Sequence, residues 1–279
     1  MLIRHFIVTY NNDDVLHQSL ETLKPTLERY SDTEYQLYVI NNHSNFTLDD
    51  YYVDKITVLH NHTRPDFSTG HLTRNWNQCI INGFESLSNP VCDYVIASQN
   101  DTTYSENFIE ELLKAHQTFD LIHLGAGDTF MSYSIEAIKS IGLWDERFCN
   151  IGYQEADYFL RAYLYHKHKT TINDYYHGRL LNPLMENKIT TDVFQSGHLR
   201  GEPSHIASLK YHTYQKQLYK YKWHSTLDND SDTSLNWNNL TKFRFLKPKI
   251  DSHIYYPYFE KDIYQRTLSN QRYVGWRNF

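Results

Sequence analysis

The chain has 279 residues, with 27 Lys and Arg against 33 Asp and Glu, a formal net charge of −6. That balance excludes nucleic-acid binding by bulk electrostatics, and no apolar run approaches the roughly 20 residues of a membrane-spanning helix. With 24 Tyr, 14 Phe and 5 Trp it is too aromatic for a disordered segment and long enough to build one large domain around a real core.

Residues 2–8 are too short and too interrupted for a secretory leader and read as a first strand, so a cytoplasmic location is expected. Three scattered cysteines, Cys79, Cys92 and Cys149, make no CxxC pair, which fits a reducing compartment without a zinc cluster. Phe6-Ile7-Val8-Thr9-Tyr10 has the pattern of a buried strand and closes on the polar turn Asn11-Asn12-Asp13-Asp14. Asp13 or Asp14 can cap a helix through Leu16, Leu20, Leu23 and Leu27, in which Pro25 predicts a kink or a break. A second strand over 35–40 ends at Asn41-Asn42-His43-Ser44, and a third over 55–60 ends at Asn61-His62. The spacing of Trp76, Ile80 and Phe84 predicts a helix over 72–87. A fourth strand over 93–98 runs into Gln99-Asn100-Asp101, and Ser105 is placed to cap a helix over 108–113.

Residues 121–124 are strand-like, and Gly125-Ala126-Gly127 bends the chain. Helices are expected over 134–141 and 155–168. Residues 208–223 interleave Lys with Tyr and Leu, the pattern of an amphipathic helix whose lysines snorkel into water. The last stretch, 236–279, is aromatic and irregular, and no internal repeat is present. Alternating strands and helices imply an α/β fold with an open, mostly parallel, Rossmann-like sheet flanked by helices. Such sheets bind ligands at the carboxyl ends of their strands. The clusters Tyr10-Asn11, Asn41-Asn42, Asn61-His62 and Asn100-Asp101 should therefore converge on one edge. Neither GxGxxG nor GxxxxGK[ST] occurs, so neither standard phosphate loop applies.

Asp101 directly follows an apolar strand. A carboxylate there ordinarily closes a turn, but it can also hold a hard cation that bridges two phosphates. With Ser105 as the expected cap, Asp101 has less structural duty. Asp157 and Arg161 are four apart and can pair on one helix face. Glu155 has no such duty and can act as general base toward a hydroxyl. His198, in 196–204, is one of 16 histidines and by residue type alone is a surface residue before it is a metal ligand.

The order of these segments resembles a known family. Phe6-Ile7-Val8-Thr9-Tyr10-Asn11 is similar to the opening strand of family 2-like GT-A glycosyltransferases, in the nucleotide-diphospho-sugar transferase superfamily. Val39-Ile40-Asn41-Asn42-His43-Ser44 resembles their "vvDNxS" strand end, and Ala97-Ser98-Gln99-Asn100-Asp101 their DxD region. Ile141-Gly142-Leu143-Trp144-Asp145-Glu146-Arg147-Phe148 resembles "vGxFDExF". The stretch from Gly152 through Gln154-Glu155-Ala156-Asp157 to Arg161 resembles "GyEDvDlxxR". The likeness spans about 3–224, and 142–161 is its specific part. Gln99 stands where the family has the first DxD carboxylate, Gln154-Glu155 where it has Glu-Asp, and Asn41 where it has an Asp that meets the nucleotide base.

The resemblance implies a GT-A domain over 1–226, with a nucleotide-binding half over 1–104 and an acceptor half over 105–226. An irregular helical and aromatic extension over 227–279 follows. It implies transfer of a hexosyl or pentosyl group, with inversion, from a nucleotide-sugar donor (UDP favoured) to a hydroxyl of a glycan or related acceptor. Thr9, Tyr10, Asn11, Asn41, Arg74, Asn75, Asn100 and Asp101 would line the donor, and Asp101 with His198 would hold Mn²⁺ or Mg²⁺. Glu155 would be the base, and Trp144, Asp145 and Asp157 would shape the acceptor side. A peripheral membrane contact, or an oligomer formed through the extension, is compatible with this reading. Two other readings compete with it. A nucleotidyltransferase on a similar sheet would need a basic or Gly-rich triphosphate loop, which is missing. A non-catalytic nucleotide-sugar-binding module would explain Gln99.

Overall fold

A computed structural model of the chain describes residues 1–10, 13–42, 47–61, 72–124, 128–148, 153–166, 175–176, 179–180 and 213–219. The strands are β1 Ile3–Thr9, β2 Tyr35–Asn41, β3 Ile56–His60, β4 Tyr94–Gln99, β5 Leu121–Leu124 and β6 Phe130–Ser134, with a small separate pair, β7 Tyr175–Tyr176 and β8 Arg179–Leu180. The helices are α1 Asp13–Arg29, α2 Asp50–Val53, α3 Leu72–Phe84, α4 Phe108–His116, α5 Ile135–Ile141 and α6 Tyr153–His166. Residues 213–219 form a further helix, α7. Among the described residues no helix is long and apolar enough to cross a membrane. The expected extension over 227–279 lies outside the described residues, as do Asn11 and His198.

The six strands form one sheet in the order β3-β2-β1-β4-β6-β5. The first four are parallel, and β6 is antiparallel to both its neighbours. The chain builds outward from β1 through β2 to β3, then returns to place β4 on the other side of β1. That reversal is the topological switch at which open α/β sheets bind ligands.

Alternation along each strand decides which helix meets which face. Phe6 and Val8 of β1, with Val95 and Ala97 of β4, pack under α3, α5 and α6. Ile3 and Ile7, with Ile96, pack under α1, α2 and α4. Burial of both faces explains why the central strands read as nearly continuous apolar runs. His5 is the polar exception on the second face. It is fully buried, with Nδ1 bonded to Tyr35 Oη at 2.5 Å and Nε2 to Ser98 Oγ at 2.9 Å. Desolvation holds its pKa down at about 3, so it is neutral.

Several local expectations are corrected. Pro25 does not break α1, which spans Asp13–Arg29. Its buried stripe, Leu16, Leu20, Leu23 and Thr26, continues past the proline, so packing on the sheet offsets the lost backbone bond. Ser105 does not cap α4. The N-cap is Asn107, which makes no side-chain cap bond. The Ser105 backbone carbonyl accepts from Phe108 N–H at 3.1 Å instead, and Arg29 at the end of α1 docks on this turn, Nη1 donating to Asn107 Oδ1 at 3.0 Å and to Glu110 Oε1 at 2.5 Å. The helix expected over 72–87 ends at Phe84, because Glu85 turns into the left-handed region at φ 61°. Ser134 caps α5, accepting from Ala137 N–H at 3.3 Å. Gly142 ends that helix at φ 84°, a conformation that side chains avoid. The glycine of the "vGxFDExF" segment is thus a helix stop.

Candidate active site

Parallel register brings the ends of four strands together: Thr9 lies opposite Asn41, Asn41 opposite His60, and Val8 opposite Gln99. The residues just past these ends stitch the edge. Asn42 N–H donates to the Thr9 carbonyl at 3.0 Å and Asn61 N–H to the Asn41 carbonyl at 2.9 Å. Asn100 N–H donates to the Val8 carbonyl at 3.1 Å, and its Nδ2 donates to Thr9 Oγ1 at 3.0 Å. Asn41 Nδ2 donates to His60 Nδ1 at 3.1 Å. Thr9, Asn41 and Asn100 therefore share one polar cluster at the strand ends, largely buried, with Tyr10 following directly on Thr9.

The first turn of α3 joins this edge. Asn75 is buried and accepts from Asn61 Nδ2 at 3.4 Å, while Asn61 and Gln78 exchange bonds of 2.9 and 3.2 Å. Arg74 lies exposed on the same turn. Asn61 as a side-chain hub and Gln78 were not singled out from the sequence, though Asn61 stood in one of its strand-end clusters.

After β4 the chain makes a tight turn, in which Thr102 N–H donates to the Gln99 carbonyl at 3.3 Å. This turn carries Asp101, which is buried. Gln99 is committed elsewhere: its Nε2 donates to Asp128 Oδ1 at 2.8 Å. Asp128 also accepts from Trp76 Nε1 at 2.6 Å and from Gln154 Nε2 at 2.9 Å. Sequence reasoning missed Asp128, which stands in none of the strand-end clusters and none of the family-like segments. Asp128 precedes β6, and since β6 is antiparallel to β4, with Phe130 opposite Ser98, its beginning reaches the same edge.

Among the described residues no group of three or more His, Cys, Asp or Glu side chains is gathered as a metal site. Asp101 is the carboxylate that the β4 turn brings to the strand-end edge. One or two carboxylates completed by phosphate oxygens and water are a usual donor set for Mg²⁺, so Asp101 fits a cation that arrives with a diphosphate.

The other expected residues lie around α6 and the segment before it. Glu155, in the first turn of α6, is buried, as are Gln154 and Asp157. The expected pair forms: Arg161 Nε donates to Asp157 Oδ2 at 3.1 Å, and Nη1 donates to the Ile141 carbonyl at 2.7 Å. The guanidinium lies 4.9 Å from the Tyr158 ring centroid. Trp144 stacks on the same tyrosine at 4.1 Å and donates through Nε1 to Tyr133 Oη at 3.1 Å. Asn77 of α3 brackets Trp144, accepting from its N–H at 2.8 Å and donating to its carbonyl at 2.9 Å. Asp145 is held by Arg147 through Nε at 2.8 Å and through Nη2. Trp144, Asp145 and Asp157 thus all have firm packing partners, and Glu155 stands beside the Gln154 that Asp128 holds. From α7, Gln215 Nε2 reaches the Arg147 carbonyl at 3.4 Å.

No family model matches the chain, and no curated protein matches it. Solved structures do. TarS 1–349 of S. aureus is 15% identical with a TM-score of 0.42, over 59% of this chain and 56% of that one. The mannosyltransferase PcManGT of Pyrobaculum calidifontis, in complex with GDP-Man and Mn²⁺, is 10% identical with a TM-score of 0.42, over 60% and 53%. Glucosyl-3-phosphoglycerate synthase of Mycobacterium tuberculosis, in complex with Mn²⁺, UDP and phosphoglyceric acid, is 13% identical with a TM-score of 0.38, over 58% and 64%. The chain spans less than two thirds of the length of each of these three.

Proposed function

We propose that the chain is a glycosyltransferase that moves a sugar from a nucleotide-diphosphate sugar, UDP-linked by preference, to a hydroxyl of a glycan or related acceptor, with inversion. The observation that carries this reading is the contact chain from the Asp101 turn through Gln99 and Asp128 to Gln154, beside Glu155. It couples an acidic strand end, suited to a diphosphate, to a helix start bearing a carboxylate base. In this reading Thr9, Tyr10, Asn11 and Asn41 line base and ribose. Arg74 and Asn75 meet the donor at the start of α3, where helix N-terminal N–H groups favour phosphate. Asp101, with His198, would hold Mn²⁺ or Mg²⁺, which when bound would supply charge stabilisation to a diphosphate leaving group.

Glu155 lies in the first turn of α6, where the helix dipole favours its ionised form. It accepts the proton of the acceptor hydroxyl. That oxygen bonds to the anomeric carbon, and the carbon–oxygen bond to the diphosphate breaks with its electron pair leaving on phosphate. Trp144, Asp145 and Asp157, held by their own partners, form the acceptor side.

Nucleotide release from UDP-glucose, UDP-galactose, UDP-N-acetylglucosamine and GDP-mannose with Mn²⁺ tests the reading. Glu155→Gln should lower kcat by about 10²–10⁴-fold, the scale of a positioned general base. Asp101→Asn should weaken the response to Mn²⁺. Undiminished turnover in Glu155→Gln removes it as base, and donor binding without turnover on any acceptor favours the binding module.

A further inference from the structure

We infer that Asp128 is the positioning residue of this site, setting the first turn of α6, and with it Glu155, against the β4 turn that carries Asp101. The inference rests on the assignment of Glu155 made above. Asp128 is 2% exposed, and its carboxylate accepts from three separate elements: Trp76 of α3, Gln99 at the end of β4 and Gln154 of α6. Two of these mounts are rigid. Trp76 is fully buried in the core, and Gln99 is fixed by its own backbone, whose N–H donates to the Thr129 carbonyl at 2.9 Å. What Asp128 adds is the hold on Gln154, the neighbour of Glu155.

A buried carboxylate is costly to desolvate, and an apolar side chain would join α3 to the sheet at less cost. Three donors aimed at one carboxylate bring directional order instead. The same contacts account for two of the three departures from the family pattern. Gln99 and Gln154 stand where that pattern has carboxylates, and both are donors to Asp128. A carboxylate at either position would face Asp128 charge to charge in a buried setting. Asp128, Gln99 and Gln154 are therefore one coupled arrangement.

The test uses the full chain and the four donors named above. Asp128→Leu and Gln154→Glu should each lower kcat by about 100-fold, the scale of a 1 Å misplacement, while donor KM stays within about threefold. In a Trp76→Phe background, which removes the indole N–H that shares the same carboxylate oxygen, the exchange Asp128→Asn with Gln154→Glu restores a donor–acceptor pair and should recover most of the Gln154→Glu loss. In a Glu155→Gln background, Asp128→Leu should cost less than about threefold more, because coupled residues do not add. Independently of turnover, the Trp76 indole N–H resonance, assigned with Trp76→Phe, should move in Asp128→Leu. Unchanged kcat in Asp128→Leu while Glu155→Gln is inactive overturns this inference alone. So does a folded Gln154→Glu that the exchange fails to rescue, or full multiplication of the Asp128 and Glu155 losses. Wild-type kcat in Glu155→Gln removes Glu155 as base and this inference with it, and no release from any donor by the wild type overturns the glycosyl-transfer assignment as well.

Discussion

Removing Asp157 should destabilise the packing of α6 before it alters any chemistry. Arg161 and Asp157 have side chains 0% and 1% exposed and meet at 3.1 Å, so solvent does little to screen the pair. Asp157→Ala leaves a guanidinium in the core whose remaining support is the Ile141 carbonyl and the Tyr158 ring. Arg161 Nη2 has no hydrogen-bond partner among the described residues, so the loss falls on a group already short of acceptors. Breaking one side of a buried pair costs about 3–5 kcal/mol. At about 2–4 °C per kcal/mol for a domain of this size, Tm should fall by roughly 6–20 °C. Urea denaturation followed by circular dichroism, with unchanged m-value, measures it. The double variant Asp157→Leu with Arg161→Met removes both charges and should recover most of the loss, since apolar replacement of a buried pair is often neutral. A loss below about 1 kcal/mol in Asp157→Ala, or a double variant no better than the single, would refute the claim that this pair braces α6.

Two further outcomes follow from the core. His5 is held at about 3 and His116 at about 4, chiefly by burial, against about 6.5 when unfolded. The unfolded chain binds more protons between these values, so stability is full above about pH 6.5 and falls as the medium acidifies. At pH 5 the two together should cost about 4 kcal/mol relative to pH 8, and His116→Gln should remove about half of that dependence. Thermal melts across this range check it, and a flat profile between pH 7 and 5 contradicts it. A Cβ on Gly83 would lie 2.3 Å from Val95 Cγ2, because α3 packs directly on β4. Gly83→Ala should cost about 1–3 kcal/mol by overpacking, and distinctly less in a Val95→Ala background. Equal costs in both backgrounds would place the strain elsewhere.

The local patterns of the chain determined a good deal. Apolar runs followed by Asn or Asp are a property of a few consecutive residues, and they marked β1, β2, β3 and β4 with their polar ends before any contact was known. The i,i+4 spacing of Asp157 and Arg161 needed only helix geometry. Boundaries that depend on packing did not show. Pro25 stays within α1 because packing continues beyond it through buried Thr26 and partly buried Leu27, and α4 starts at Phe108, whose ring is buried in the core and whose N–H bonds to the Ser105 carbonyl. The hub of the site was likewise beyond local reading. Asp128 is 27 positions from Asp101 and precedes its strand rather than following it, so nothing nearby in sequence distinguishes it from a loop aspartate. Only the antiparallel insertion of β6 beside β4, and the docking of α3 and α6 on one face of the sheet, bring three donors to its carboxylate. Strand direction and helix docking are set by long-range burial, and burial is decided by the whole fold at once.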